Sequence, residues 1–230
     1  MGESNQRRII RKLDLELFIA SLTPQPTPQA HLEQYTTSEA IAANMLYLAT
    51  YTNGDIIGKS IIDLGCGTGR LGLGAAFLGA KNVVGVDVDR LAVKTAYENS
   101  EKTFLTENTE WINGDIASIS GKFDTVLQNP PFGVQTREAD RAFLLKALEV
   151  GSSVYSFHNH PEVDLKLVKL LKNQDFIQVS PSPFLEQFIS KHGGYVKAVY
   201  SMCMTIPKLF SFHKKMKYDF IIDLYVIKKL

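Results

Sequence analysis

The strongest constraint on the fold is a regular alternation that begins near residue 60. Short apolar runs lie at 61–64, 83–86, 110–112, 123–128 and 154–157, and helical spacing of apolar residues follows at 69–78, 89–103, 138–149, 162–172 and 183–191. Strands that alternate with helices form a parallel sheet. Two longer β-rich runs, 196–206 and 218–227, follow without a full helix between them, which predicts antiparallel pairing. The sequence therefore predicts an α/β protein with a doubly wound, mostly parallel sheet of about seven strands, an antiparallel C-terminal strand, and helices on both faces.

The N-terminal part of the chain lacks this alternation. Apolar residues at helical spacing over 7–21 predict an amphipathic helix with Leu13 and Leu17 on its apolar face. A second helical pattern precedes the first strand. We therefore divide the chain into a helical cap of residues 1–50 and a domain of residues 51–230 that forms one structural unit with the cap.

Composition excludes several classes of protein. The 230 residues include 25 basic and 24 acidic side chains, a net charge of +1, so the chain is not a polyelectrolyte that binds nucleic acid by charge alone. Its two cysteines, Cys66 and Cys203, lie far apart without a CxxC spacing, which is typical of a reducing compartment and favours no metal site. No apolar run approaches the roughly 18 residues that cross a bilayer. We expect a cytoplasmic protein.

A glycine-rich loop follows the first predicted strand. It runs over residues 63–69 as Asp-Leu-Gly-Cys-Gly-Thr-Gly, and loops of this kind bind ligands at the carboxyl edge of α/β sheets. Residues 67–72 also satisfy GxGxxG, so a nicotinamide dinucleotide is one candidate ligand. Two acids favour a different cofactor. Asp63 can meet a cationic amino group, and Asp87, which closes the next strand, suits a ribose diol.

Together these residues resemble the pattern of S-adenosylmethionine-dependent methyltransferases. The pattern comprises Asp63, Gly65, Gly67, Gly69 and Asp87. A third acid, Asp115, follows the third predicted strand, where an acid in such enzymes accepts a hydrogen bond from the adenine amino group of the cofactor. The resemblance implies a Rossmann-like class I methyltransferase fold with S-adenosylmethionine as cofactor.

The tetrapeptide Asn129-Pro130-Pro131-Phe132 directly follows the fourth predicted strand. A nitrogen conjugated to a ring or a carbonyl is a poor nucleophile, and two acceptors at its two N–H bonds restore its nucleophilicity. The side-chain oxygen of Asn129 and the main-chain carbonyl of Pro130 can be these acceptors, the prolines stiffen the backbone, and Phe132 offers a stacking face. The motif indicates amino methylation of adenine, of cytosine N4 or of a glutamine amide.

Several further segments resemble one methyltransferase family. They are residues 32–37 (LEQYTT), 155–158 (YSFH), 211–215 (SFHKK) and 219–224 (DFIIDL). With the tetrapeptide they are similar to the archaeal and eukaryotic methyltransferases related to the enzyme that makes N6-methyladenosine in small-subunit ribosomal RNA. The resemblance implies adenine-N6 methylation of structured RNA. Residues 51–230 would be the catalytic domain of such an enzyme, and the cap of residues 1–50 would contribute to the cofactor and substrate site.

The resemblance also implies a role for each matching residue. The cofactor-binding residues would be Gln34, Tyr35, Thr37, Asp63, Gly65, Gly67, Gly69, Asp87, Asp115 and Asn129, and the catalytic residues Asn129, Pro130, Pro131 and Phe132. Members of this family often pair with a small zinc-ribbon activator protein, which would add a strand at the sheet edge near residues 108–112.

Basic residues near the C-terminus predict contact with RNA. Residues 208–217 carry four lysines and no acid, which concentrates positive charge on an otherwise neutral chain. We expect substrate contacts from Phe132, His158, His213, Lys214 and Lys215. Three alternatives stay open at this point: a glutamine-N5 methyltransferase of the release-factor type, a DNA adenine methyltransferase, and a non-catalytic methyltransferase-like subunit that binds RNA.

Overall fold

A computed structural model describes residues 9–29, 34, 36–132, 139–161, 164–207 and 217–230. These residues form seven α-helices and eight β-strands. The helices are α1 (Lys12–Ala20), α2 (Glu39–Tyr47), α3 (Arg70–Phe77), α4 (Arg90–Lys102), α5 (Ala139–Val150), α6 (Leu165–Leu171) and α7 (Pro183–Lys191). The strands are β1 (Ser60–Leu64), β2 (Asn82–Asp87), β3 (Thr109–Asn113), β4 (Phe123–Gln128), β5 (Gly151–Asn159), β6 (Ile177–Val179), β7 (Gly194–Pro207) and β8 (Lys217–Lys229).

The strands form one mixed sheet in the order β3-β2-β1-β4-β5-β8-β7-β6. The five strands from β3 to β5 are parallel, whereas β8 runs antiparallel to both β5 and β7. The predicted fold class is confirmed, and β8 is the predicted antiparallel strand. The chain winds outward from β1 in both directions, so the topological switch point lies between β1 and β4, where sheets of this type bind ligands.

The sheet has one strand more than the sequence predicted. This strand, β6, has three residues and pairs along one side only, antiparallel to β7. It lies between two segments with helical spacing. A run of three residues is too short to show a periodicity, and its extended form depends on the partner strand.

The two faces of the sheet carry separate apolar cores. On one face, strand residues such as Ile61 and Leu127 pack with α1, α2 and α3. On the other face, Ile62 and Val126 pack with α5 and α7. Successive strand residues point to opposite faces, so an apolar strand of this kind is buried on both sides and needs helices on both. The predicted helices on both faces are confirmed.

Helix α1 buries a different face from the one predicted. Leu15 and Ile19 are fully buried, whereas Leu13 is 56 % and Leu17 is 61 % exposed. Both pairs have the i, i+4 spacing of a helix face, because apolar residues alternate with charged ones over this segment. Spacing alone therefore cannot choose the buried face, and packing against α2 and α3 decides it.

The division at residue 50 remains a prediction. Residue 50 lies within a π-helical turn, Leu48–Thr52, that continues α2 without a break. Helices α1 and α2 share their apolar core with α3 and with strands of the sheet. None of the helices in the described ranges is long and apolar enough to cross a membrane.

Candidate functional site

A cavity of about 410 Å³ opens at the carboxyl ends of β1, β2 and β4. Its volume is in the range of small-molecule sites. Eleven of the predicted site residues line it: Gln34, Thr37, Asp63, Gly65, Gly67, Asp87, Asp115, Asn129, Pro130, Pro131 and Phe132. The fold thus brings the glycine loop, the three acids and the tetrapeptide together, although they are spread over most of the first 132 residues.

The cavity also has lining residues that the sequence analysis did not single out. They are Gln25, Thr36, Cys66, Thr68, Arg70, Leu71, Val88, Ile116 and Phe143. Most of them are chain neighbours of predicted residues, and adjacency to the motifs was the signal that could have found them. Gln25 and Phe143 are the exceptions. Gln25 is attached to the site by its hydrogen bond to Asp89, and α5 brings Phe143 to the cavity by packing on the sheet, so no local pattern marks either residue.

Asp63 presents an unpaired carboxylate oxygen in this cavity. The side chain is 1 % exposed, its Oδ2 accepts a hydrogen bond from the backbone N–H of Gly72 at 2.9 Å, and its Oδ1 is buried without a partner. Burial raises the pKa of Asp63 to about 7, against the opposing effect of the Gly72 hydrogen bond. A buried carboxylate with an open acceptor fits a cationic amino group, which would stabilise its ionised form.

The side chain of Asp87 binds the backbone of the glycine loop. The Asp87 Oδ2 accepts from the N–H of Gly67 at 2.8 Å, and Oδ1 accepts from the N–H of Asp89 at 2.9 Å. Burial raises the pKa of Asp87. Each carboxylate oxygen can accept a second hydrogen bond, so this side chain can bind a pair of hydroxyl groups without releasing the loop.

The three loop glycines have different roles. Gly65, Gly67 and Gly69 all have positive φ, at 70°, 53° and 83°, a conformation that favours glycine. Gly65 and Gly67 line the cavity, but Gly69 does not. A Cβ on Gly69 would lie 2.7 Å from the ring of Trp111, so packing against β3 explains this glycine without a ligand.

Thr37 orients the amide of Asn129. The Asn129 Nδ2 donates to the Thr37 Oγ1 at 2.9 Å, and the Asn129 Oδ1 is buried without a partner. The backbone carbonyl of Thr37 in turn accepts from the Arg70 Nη1 at 3.0 Å. Since the amide nitrogen is already bound, the free oxygen of Asn129 is the atom left to accept an N–H from a ligand.

Gln34 meets an acid after β2. The Gln34 Nε2 donates to Asp89 Oδ2 at 2.8 Å, and Gln25 donates to the same oxygen at 2.8 Å. Asp89 also caps α4 by accepting from the N–H of Leu91. These bonds attach the N-terminal segment to the loop beside Asp87, and they explain how Gln34 comes to line the cavity.

Phe132 and Asp115 occupy other parts of the cavity wall. The rings of Phe132 and Phe220 meet edge to face, with centroids 6.1 Å apart and planes at 79°. Asp115 accepts from the N–H of Ala117 at 2.8 Å and so caps the 3₁₀ turn Ile116–Ser118. The carboxylate of Asp115 therefore has a fixed position and keeps acceptor capacity.

His158 lies outside the lining of the cavity. It is 4 % exposed, and its Nε2 lies 2.9 Å from the Ser156 Oγ, which accepts from the Gln128 Nε2. Burial lowers the pKa of His158 to about 4, so the ring is neutral at pH 7. The structure therefore does not place His158 in the cavity that Asn129, Pro130, Pro131 and Phe132 line.

The remaining predicted site residues, Tyr35, His213, Lys214 and Lys215, lie outside the described residues. Strand β3 is at one end of the sheet order, where the sequence analysis placed a possible partner.

Comparison with known proteins identifies the family. The sequence profile of the ribosomal protein L11 methyltransferase (PrmA) family matches residues 39–130. The rRNA N(6)-adenosine-methyltransferase METTL5 of Danio rerio is 33 % identical over 216 residues, which cover 91 % of this chain and 95 % of that protein. The chain belongs to the family of METTL5-type rRNA N(6)-adenosine-methyltransferases. The predicted family, enzyme class and cofactor, S-adenosylmethionine, are thereby confirmed.

Two further comparisons show which matches cover the whole chain and which cover only one segment. The crystal structure of the protein PH1948 from Pyrococcus horikoshii has a TM-score of 0.80 and 35 % identity, and the match covers 97 % of this chain and 100 % of that one. The ribosomal protein L11 methyltransferase of Thermotoga petrophila is 42 % identical, but over only 72 residues, 31 % of this chain and 27 % of that protein. The likeness to a protein methyltransferase is thus confined to one segment, whereas the likeness to METTL5 extends over nearly the whole chain.

Proposed function

We propose that this protein methylates the N6 amino group of adenine in structured RNA, with small-subunit ribosomal RNA as the substrate. The observation that carries the proposal is the open, buried Oδ1 of Asn129 in a cavity that also holds Asp63 and Asp87. Leaving a buried acceptor unpaired costs about 1–3 kcal/mol, so the geometry favours a ligand that donates an N–H there. METTL5-type relatives are named for this reaction on rRNA.

Three acids provide the cofactor contacts in this proposal. Asp63 binds the ammonium of the methionine moiety through its open Oδ1, Asp87 binds the ribose hydroxyls, and Asp115 accepts from the adenine amino group. Gly65 and Gly67 let the ligand approach the backbone closely. When bound, S-adenosylmethionine supplies an electrophilic methyl group on a sulfonium.

Asn129 and Pro130 activate the target nitrogen. The lone pair of an adenine amino group is delocalised into the ring, and the Asn129 Oδ1 and the Pro130 carbonyl accept its two N–H bonds and favour a more pyramidal, nucleophilic nitrogen. Thr37 keeps the Asn129 oxygen pointed to the substrate because it occupies the amide nitrogen. Catalysis then depends on positioning and on aligned dipoles, and the proton of the product leaves to water.

Phe132 stacks on the target base. Its ring borders the cavity, and the edge-to-face contact with Phe220 fixes the ring plane. A flipped base stacked on a fixed aromatic face presents its amino edge in one orientation. Phe132 and Asn129 together would therefore select a flat, amino-bearing substrate.

The proposed partners are RNA and a zinc-ribbon activator. The lysines of 208–217, with His213, Lys214 and Lys215 among the residues we expect at the substrate, are the proposed phosphate contacts. For the activator, β3 offers an edge: it ends the sheet, and its Ile112 is 39 % exposed. A partner strand could pair with the backbone of β3 there. The cytoplasmic location also stays a prediction, supported by two free cysteines.

The test is transfer of labelled methyl groups to unmodified small-subunit ribosomal RNA, followed by identification of the digested nucleosides. We expect N6-methyladenosine from the unaltered protein and a loss of at least 100-fold in kcat for Asn129→Ala. Thr37→Val, which keeps the shape but removes the acceptor, should lower kcat about tenfold, and Thr37→Ser should restore it.

The matched control is Asn82→Ala. Asn82 is exposed at the amino end of β2, whereas the cavity lies at the carboxyl end, so this substitution should leave the rate unchanged. If no RNA is labelled, the assay is repeated with a zinc-ribbon partner, then with a release factor and with DNA as substrates. Label on a glutamine side chain, or on DNA rather than RNA, would refute the proposal in favour of those alternatives. Binding of the cofactor without transfer to any of the substrates would favour the non-catalytic subunit.

A further inference from the structure

Arg70 is a cationic side chain inside the cofactor cavity. It is the first residue of α3, directly after the glycine loop, and its side chain is 13 % exposed. Among the described residues that line the cavity, it is the only lysine or arginine, against the three acids Asp63, Asp87 and Asp115. Arg70 is not among the cofactor-binding or catalytic residues that the family resemblance implies.

The hydrogen bonds of Arg70 leave part of its guanidinium unused. Its Nη1 donates to the carbonyl of Thr37 at 3.0 Å, but its Nε is buried without a partner. The nearest acid, Glu39, is 3.8 Å from Nη1 and is 51 % exposed, which makes it a weak, solvent-screened partner. A buried guanidinium with an open donor is costly to fold unless a ligand supplies an acceptor.

Arg70 and Asp63 both line the cavity, and the start of α3 is in contact with Asp63. The N–H of Gly72, two residues after Arg70, is the donor that holds Asp63 Oδ2. The first turn of α3 therefore carries both Arg70 and the backbone N–H that holds Asp63 in place. A free amino acid group carries an ammonium and a carboxylate on a single carbon, and this pair of side chains has complementary charges for it.

We propose that Arg70 binds the α-carboxylate of the methionine moiety of S-adenosylmethionine, while Asp63 binds its ammonium. Arginine is suited to this contact because its planar donors match a carboxylate, and such charge-assisted bonds are stronger than neutral ones. The start of α3 adds backbone N–H groups that also favour an anion. The inference rests on the cofactor assignment and not on the RNA substrate.

Calorimetric titration without RNA tests the inference with two ligands that differ only in the carboxylate, S-adenosylmethionine and decarboxylated S-adenosylmethionine. The unaltered protein should bind the first at least tenfold more tightly. Arg70→Gln should weaken binding of S-adenosylmethionine by about 10- to 100-fold and change the affinity for the decarboxylated ligand less than about threefold. Arg70→Lys should recover part of the loss. Glu39→Gln, which removes the competing acid, should leave the preference in place.

The matched control is Arg90→Gln, because Arg90 is the first residue of α4 but is exposed and outside the cavity lining. It should bind both ligands as the unaltered protein does. Equal losses for both ligands in Arg70→Gln would mean that Arg70 only supports Thr37, and equal affinities in the unaltered protein would mean that no residue recognises the carboxylate. Either result overturns the inference. Failure to methylate RNA would not affect these titrations, so the two proposals fail separately.

Discussion

At the scale of single residues, burial leaves two oxygen atoms of the site ready to accept hydrogen bonds from ligands. Asp63 and Asn129 each keep one oxygen without a partner, and in each the other polar atom is fixed by a hydrogen bond, from Gly72 in one case and to Thr37 in the other. A buried polar atom that is held in place but has no partner has already lost its hydration and its conformational entropy on folding. The ligand then gains the full interaction, which is how preorganised sites obtain affinity.

The raised pKa of Asp63 predicts a pH-dependent affinity. Burial, with a smaller contribution from the charge of nearby Asp87, raises this pKa to about 7. The ammonium of S-adenosylmethionine requires the ionised carboxylate, so binding below pH 7 must first remove a proton. Affinity should therefore rise about tenfold for each pH unit between 5 and 7 and level off above 7.

Titrations in buffers from pH 5 to 7.5 measure this dependence. Asp63→Asn should bind weakly at every pH and lose the slope, which separates Asp63 from Asp87. The matched ligand is 5′-methylthioadenosine, which lacks the amino acid group and should bind the unaltered protein with a much flatter profile. A steep profile for that ligand as well would assign the titration to another group.

At the scale of elements, α1 offers a comparison within one helix. Leu15 is fully buried against α2 and α3, and Leu13, two residues earlier, is 56 % exposed. Leu15→Ala should lower the free energy of unfolding by about 2–4 kcal/mol, through lost burial and a residual cavity. Leu13→Ala should change it by less than about 0.5 kcal/mol, since more than half of this side chain is exposed to solvent. Equilibrium unfolding in denaturant measures both, and a larger loss for Leu13→Ala would restore the face that spacing favoured.

What the sequence could predict depends on how local the cause is. The strand β1, the loop at Gly65 and Gly67 and the tetrapeptide at Asn129 were predictable, because each is encoded in a short run with its own chemistry. The buried face of α1 and the strand β6 were not, because packing against other elements decides them. The position of Phe143 in the cavity wall was not predictable for the same reason. Arg70 sat beside a predicted motif, but only the fold shows which of its nitrogens lacks a partner.

At the scale of the whole molecule, β8 runs from the carboxyl ends of the parallel strands to their amino ends. Its early residue Phe220 contacts Phe132 beside the cavity, and its late residue Lys228 pairs with Ser153 near the start of β5. There the Lys228 Nζ donates to both carboxylate oxygens of Asp55, at 2.7 and 2.8 Å. Asp55 precedes β1 and also accepts from the hydroxyl of Tyr155 on β5. One ion pair thus joins the C-terminal strand to the entry of the sheet.

Because this pair is largely buried, with side chains 20 % and 12 % exposed, removing one partner should be costly. Lys228→Met leaves the Asp55 carboxylate without its counter-charge and should lower the free energy of unfolding by about 2–4 kcal/mol. Lys229→Met is the matched control, since Lys229 is exposed and should cost less than about 0.5 kcal/mol. The double variant Asp55→Asn, Lys228→Met should recover much of the loss, because no buried charge is then left unpaired. If the double variant lowers the free energy of unfolding by as much as Asp55→Asn and Lys228→Met do together, the two side chains are not coupled. Apolar packing alone then holds β8 in the register that places Phe220 against Phe132.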